Sequence, residues 1–276
     1  MIKSPADAAA ADAGHRWMTV PKPGPMPGSA ATGMAPVNGI RMYFATYGRP
    51  DTGAMPVLLI HGGLGHADLW SALVADLSSD RYVIVADSRG HGRSTRTADP
   101  FGYDLLASDY VALLDHLRIG KVDLVGWSDG GIIGLAIAMR HPARLNRLFA
   151  HAANITVGGV DPSVATNAVF NTCVTWIGED FVKLSPAPDQ YDAFVAQISD
   201  MWATEPNWPD AEVARITVPT AIVLGDHDEM ITRAHTDHMV SVIPGSELVI
   251  LKDASHFAML QAPEDYNAAV RAFLDR

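Results

Sequence analysis

From residue 57 onward the chain alternates short apolar runs with longer amphipathic stretches. VLLI (57–60), YVIVAD (82–87), KVDLVG (121–126), RLFAHAA (147–153), TAIVLGD (220–226) and ELVILKD (247–253) are short, rich in β-branched and aliphatic residues, and read as buried strands. Between them, YDLLASDYVALLDHL (103–117) sets Leu106, Tyr110, Leu113, Leu114 and Leu117 on one face at helical spacing. GGIIGLAIAMRHP (130–142) predicts a small-residue helix that stops near Pro142, and further helices are predicted over about 68–77, 232–243 and 264–274. VNGIRMYFATY (37–47) alternates and reads as an antiparallel edge hairpin. Short apolar strands separated by helices predict βαβ units. The expected class is therefore α/β, a mostly parallel central sheet flanked by helices on both faces.

Two segments break this rhythm. Residues 154–211 hold no apolar run suited to a buried strand but several helical stretches and three tryptophans. They are expected to form a helical cap, or lid, inserted between the core segments 35–153 and 212–276. Such a cap would lie over the carboxyl ends of the strands, where open α/β sheets bind ligands. Residues 1–34 form the other exception. The Ala-rich run 6–17 could be a weak helix, and PKPGPMPGSAATG (21–33) predicts an extended, flexible arm. The arm lacks the basic start and apolar stretch of an intact signal peptide, so the cytoplasm is the expected location. A periplasmic or secreted location after signal removal is the alternative.

Composition narrows the function classes. At 276 residues, 48% apolar and 18% charged, the chain has the makeup of a globular protein with an ample core. No apolar run reaches the ~20 residues of a bilayer span. A formal charge of −11 opposes association with nucleic acid and with anionic membranes, so a small molecule is the expected partner. Cys173 is the only cysteine, which rules out an intramolecular disulfide and a cysteine-based metal cluster.

The chemistry gathers around VGWSDGG (125–131). A serine at a sharp strand-to-helix turn needs small neighbours, which Gly126, Gly130 and Gly131 supply. Such a turn would expose the Ser128 hydroxyl and aim the backbone N–H of Asp129 at a developing oxyanion. The competing reading is a Gly-Ser turn packed under a helix. Three further loops bear on the choice. HGGLG (61–65) follows an earlier strand, where a second oxyanion donor belongs, with Gly63 the first candidate and Leu64 the next. VLGDHDEMI (223–231) puts acids just past a strand, and DASHFAML (253–260) puts His256 before the last helix. The order Ser, acid, His is that of a nucleophile-elbow hydrolase.

With HGGLG, DSRGHGRS, GWSDGG, GDHDEMI and SHFAMLQAPE in this order, the chain from about Ala35 to its end resembles the α/β-hydrolase fold family. The GWSDGG variant is similar to that of the valacyclovir-hydrolase-like (biphenyl-hydrolase-like) branch and related bacterial esterases and lactonases. The resemblance implies a serine hydrolase with Ser128 as nucleophile, His256 as base and no cofactor. The family's G-x-x-D pattern puts the acid at Asp228, with Asp226 and Glu229 ranked lower. In that branch the acid after the nucleophile recognises a substrate amine, which implies the same role for Asp129. Helix capping is the plainer alternative for that carboxylate.

The expected reaction is cleavage of a carboxylic ester or lactone, with amine-bearing substrates such as amino-acid esters or macrolide-type lactones as candidates. Amidase, C–C hydrolase and perhydrolase activity use the same triad, and a slow-turnover ligand receptor on this fold is the alternative from another class. Trp127, Trp176 and Trp202 are the candidate substrate-binding aromatics. Eight acids against the single base Lys183 between 154 and 211 form a solvated face or steer a cationic substrate. His61, His66, His91, His235 and His238 lack the spacing of a metal site, so no metal is expected.

Overall fold

The computed structural model describes residues 14–276, so most of the Ala-rich run at 6–17 lies outside the described residues. Eight strands form one sheet: β1 (Ala31–Val37), β2 (Ile40–Tyr47), β3 (Val57–Ile60), β4 (Val83–Ala86), β5 (Val122–Trp127), β6 (Leu145–His151), β7 (Thr220–Gly225) and β8 (Glu247–Leu251). Their order is β1-β2-β4-β3-β5-β6-β7-β8. The β1–β2 hairpin and the β2–β4 pair are antiparallel, and the pairs from β4 to β8 are parallel. Every residue of β3, β4, β5 and β7 is buried, as expected of strands covered on both faces.

The covering helices are α1 (Ser71–Leu77), α2 (Tyr103–His116), α3 (Asp129–Arg140), α6 (Arg233–Val242) and α7 (Pro263–Leu274); α4 (Ala168–Leu184) and α5 (Tyr191–Thr204) belong to the insertion after β6. Helix α2 packs on α3, which lies against β3, β5 and β6, while α1 packs on α7. The hairpin starts earlier than its sequence pattern suggests. β1 begins at Ala31, inside the segment expected to be a flexible arm, and Asn38-Gly39 turn the chain with φ of +41° and +81°. Positive φ at both central residues suits the twist of a two-residue hairpin, which is why Asn-Gly serves here. β1 escaped notice because ATGMAPV lacks bulky alternation, and Pro36 is tolerated only because the strand is an edge.

Residues 14–30 precede the hairpin as the described part of the expected arm. They are extended rather than helical, apart from a single turn at Arg16–Met18, and lie along the core with Val20 and Met26 packed against it.

Candidate active site

β3 and β5 are neighbours, with Ile60 opposite Gly126, but their connections leave in opposite directions: β3 leads to β4 on one side, while β6 lies on the other side of β5. The loops diverge there and leave a crevice at the carboxyl ends of the strands. Ser128 stands in it, between β5 and α3, with φ +54° and ψ −121°. This backbone state is costly for a residue with a Cβ. Dense packing enforces it. A Cβ on Gly126 would lie 2.2 Å from the Gly130 carbonyl oxygen, and one on Gly130 would lie 2.0 Å from that of Ile60. Only glycines let α3 cross the end of the sheet at backbone contact. The Ser128 side chain does not cap α3, and it lines a cavity instead of being sealed under the helix.

The loop after β3 is fixed by His61. Its Nε2 accepts the Ser88 N–H at 2.9 Å, so the ring proton sits on Nδ1, which donates to the Gly62 carbonyl at 2.7 Å. Burial pushes this imidazole down to about 4, so Nε2 stays an acceptor at neutral pH. Gly65 N–H donates to the same carbonyl at 3.1 Å. Because a trans peptide points its C=O and N–H in opposite directions, anchoring Gly62 C=O also sets the direction of Gly63 N–H. Gly63 and Leu64 both line the cavity, and Leu64 has φ +62°. Asp129 is the first residue of α3, where helix geometry leaves its N–H without an intrahelical acceptor.

Two loops, after β7 and β8, bring the acid to the histidine. A Cβ on Gly225 would lie 2.4 Å and 2.5 Å from the carbonyl oxygens of Ala254 and Ser255, so glycine is what lets the loops touch. His256 Nδ1 lies 3.2 Å from both oxygens of Asp228. Asp228 Oδ1 also accepts the N–H groups of Met230 and Ile231 at 2.9 Å and 2.8 Å. The neighbouring acids touch the same loop elsewhere: Asp226 accepts Ala254 N–H at 3.3 Å and Glu229 accepts His256 N–H at 3.0 Å. Of the three, Asp228 alone reaches the ring nitrogen.

Burial opposes the Asp228 charge, yet His256 and the two backbone donors outweigh it and hold the carboxyl below its ordinary value. Burial likewise opposes a charged His256, but Asp228, Glu229 and Asp129 together raise it above the ordinary histidine value. Trp127 Nε1 donates to the His256 carbonyl at 2.7 Å. Trp127 thus holds the histidine as well as lining the cavity.

The cavity measures about 480 Å³ and is lined by both Ser128 and His256. Its walls are mainly apolar, with Val157, Val160, Val164, Phe170, Val174 and Ile177 from the insertion, and Met230 and Phe257 from the core loops. Its polar end carries Tyr103, Asp129, Trp202 and Glu205. Asp129 accepts from Tyr103 Oη at 2.8 Å and from Trp202 Nε1 at 3.0 and 3.1 Å, and burial pushes its carboxyl up to about 6 despite both donors. Trp202 therefore both lines the cavity and ties α5 to the Ser128 turn. Trp176 does not line it, which corrects the expectation for that residue. Phe170, Cys173, Val174 and Ile177 form the cavity face of α4 at helical spacing, and Trp176 falls outside that stripe.

Tyr103 was not among the residues singled out from sequence, and Glu205 entered only as one of the eight acids between 154 and 211. Tyr103 reads as one more apolar position of α2, although its place at the helix start, beside the cavity, distinguishes it. The histidines weighed for metal are otherwise engaged: His91 Nδ1 bonds the Arg89 carbonyl, His235 Nε2 accepts Ile155 N–H, and His238 pairs with Asp210. His66 lies 3.6 Å from Asp180 of α4. Among the described residues no three His, Cys, Asp or Glu side chains are grouped to hold a metal ion. Nor is any helix among them long and apolar enough to cross a membrane.

Sheet order, elbow and helical insertion together define a hydrolase of the strand–elbow–helix class. Comparison with known proteins agrees: the model of the alpha/beta hydrolase family matches residues 57–269, and the chain belongs to that family. It is similar to 3-oxoadipate enol-lactonase 2 of Acinetobacter baylyi, 27% identical over 86% of this chain and 94% of the relative. It is also similar to the human serine hydrolase BPHL, 28% identical over 92% of this chain and 91% of the relative. Among solved structures, the enol-lactonase from Burkholderia xenovorans shares the fold with a TM-score of 0.71 at 24% identity, over 88% of this chain and all of that one.

Proposed function

We propose that the chain cleaves a carboxylic ester or lactone with a Ser128–His256–Asp228 triad, through an acyl-enzyme. The observation that carries this reading is that Ser128, on its strained elbow, and His256, paired with Asp228, open into one cavity. A serine hydroxyl is a weak nucleophile at neutral pH, so His256 Nε2 takes the Oγ proton as Oγ attacks the carbonyl carbon. Asp228 keeps the other ring proton on Nδ1 and stabilises the imidazolium. The N–H groups of Gly63 and Asp129, with Leu64 the next candidate, receive the oxyanion, and each such donor is typically worth ~3 kcal/mol of barrier lowering. Collapse of the tetrahedral intermediate breaks the bond to the leaving oxygen, which takes the proton from His256. In a lactone that oxygen stays tethered to the acyl group. Water then repeats the sequence and frees Ser128.

The finer proposal is a substrate that carries an amine. Asp129 and Glu205 line the polar end of the cavity, and no lysine or arginine lines it among the described residues. The apolar walls suit the remainder of the molecule. Names of similar proteins, an enol-lactonase and a serine hydrolase, support the lactone or ester class but not the amine. The test is turnover of p-nitrophenyl esters and lactones, with and without an amine, by wild type and Ser128→Ala. Serine-dependent turnover and phosphonate labelling of Ser128 are expected. Turnover that persists in Ser128→Ala would overturn the triad.

A further inference from the structure

The segment between residues 15 and 22 touches three parts of the active site at once. His15 Nδ1 and Arg16 N–H reach the Asp253 carboxylate at 3.1 and 3.3 Å, and Arg16 also bonds the Lys252 carbonyl and Asp265. Asp253 opens the histidine loop and has φ +50°, a conformation that needs support. Trp17 stacks on His227, next to Asp228, with ring centroids 4.4 Å apart and planes within 10°. Lys22 lies 5.9 Å above the ring of Trp176 and 3.5 Å from Glu179, both on α4.

The link to His256 runs through Gln261, which is 7% exposed. Its Oε1 accepts Ser255 N–H at 2.7 Å, and its Nε2 donates to Ser255 Oγ at 2.9 Å and to the Thr19 carbonyl at 2.6 Å. Ser255 immediately precedes His256. The arm thus completes a buried amide network whose other end grips the peptide carrying the histidine.

We propose that residues 15–22 and Gln261 are positioning residues of the hydrolase: a strap that sets the Asp228 and His256 loops relative to each other. The inference rests on the triad reading above. Its contact with α4 is the lesser part, because the Lys22–Glu179 pair is exposed on both sides and exposed pairs contribute little. The contacts with the triad loops are the ones with leverage. Nδ1 of His256 is 3.2 Å from both Asp228 oxygens, longer than a tight charge-assisted bond. Small displacements of either loop therefore change the pairing directly.

The experiment uses the full chain with Gln261→Ala, Trp17→Ala and Trp17→Phe, and measures kcat, KM, the pH profile and melting temperature on one p-nitrophenyl ester. Gln261→Ala is expected to lower kcat about tenfold or more with KM nearly unchanged, because misplacement of a reacting group acts on the chemical step. Its acid limb should move down toward that of an unpaired histidine as the Asp228 contact loosens. Trp17→Ala should lower kcat severalfold, and Trp17→Phe should restore it by keeping the stack. Trp17 is only half-buried, so its variants test the strap even where Gln261→Ala fails to fold. Variants that melt earlier but keep wild-type kcat and pH profile would reduce the arm to a stabilising element and overturn the proposal. Ser128→Ala separates the two readings. If it retains activity the triad itself is wrong; if it is inactive while the Trp17 and Gln261 variants turn over normally, only the strap is.

Discussion

Replacing Asp129 by asparagine tests the electrostatics of the site against its stability. Burial moves the Asp129 carboxyl from 3.8 up to about 6. Each pKa unit is worth about 1.4 kcal/mol, so holding the ionised form in the folded state costs about 3 kcal/mol. The folded state binds the proton more tightly than the unfolded one, so the cost is absent at low pH. It develops as pH rises from 3.8 to about 6 and is constant above that. Asparagine never ionises and escapes the cost. It introduces another: an amide nitrogen where Oδ2 now accepts Trp202 Nε1 at 3.0 Å, a donor facing a donor. That loss is about 1 kcal/mol and independent of pH, so it cancels when the two proteins are compared at several pH values.

The expected result is that Asp129→Asn gains on wild type by about 2 kcal/mol between pH 4.5 and pH 8, measured by urea unfolding across that range. A difference that stays flat with pH would mean that Asp129 is not a buried ionised group. A gain appearing toward low pH would reverse the sign of the argument.

Four further outcomes follow from the geometry and electrostatics of the site. His61→Ala should lower kcat on the order of 10- to 100-fold with little change in KM, because it releases the peptide that aims Gly63 N–H while Gly65 still holds part of it; steady-state kinetics check this. The acid limb of kcat/KM should lie above the ordinary histidine value of 6.5, since the proposed triad needs neutral His256 and nearby carboxylates favour its charged form. Glu229→Gln removes one of those carboxylates and should move the limb to lower pH in a pH–rate profile. Gly225→Ala should push the histidine loop off the acid loop, costing about 1–3 kcal/mol in urea unfolding and most of the activity, because its Cβ would meet the Ala254 and Ser255 carbonyls.

How legible each part was depends on the range of the interactions that define it. Strands such as Thr220–Gly225 are marked by their own apolar residues, and the structure places them within a few residues of their sequence pattern. Gly126, Gly130 and Gly225 are informative for the same reason: close backbone approach excludes every other side chain, so the constraint is written at one position. Contacts that depend on distant partners are not written that way. Nothing near Trp17 announces His227, and nothing near Gln261 announces Thr19, because each pair is joined only when the chain has folded. Trp176 illustrates a third case. Both Trp176 and Trp202 lie on helices of the insertion, and only the rotational phase of each helix against the cavity decides which one faces it.

Asp129 raises the question of why a site would hold a carboxylate at such a cost beside Ser128, its proposed nucleophile. The position at the first turn of α3 favours an anion, but a helix N-terminus typically contributes 0.3–1 kcal/mol, well short of about 3. Tyr103 and Trp202 donate hydrogen bonds without carrying charge, and the carboxyl remains raised with both in place. Wild type at neutral pH therefore keeps an anion that its own residues only partly compensate. A cation entering the cavity would supply what is missing, and its contribution would be larger there than at an exposed site because the surroundings are apolar. A neutral ester would instead meet a negative charge near the N–H groups proposed to receive its oxyanion, which raises the barrier. The proposed preference for amine-bearing substrates should then depend on pH. It should strengthen as pH rises through about 6 and Asp129 ionises, and it should be absent in Asp129→Asn. Capping alone predicts no such dependence. Competition between a matched pair of esters, with and without an amine, at pH 5 and pH 7.5 distinguishes the two, and equal selectivity at both values would leave Asp129 as a cap and an anchor for Trp202.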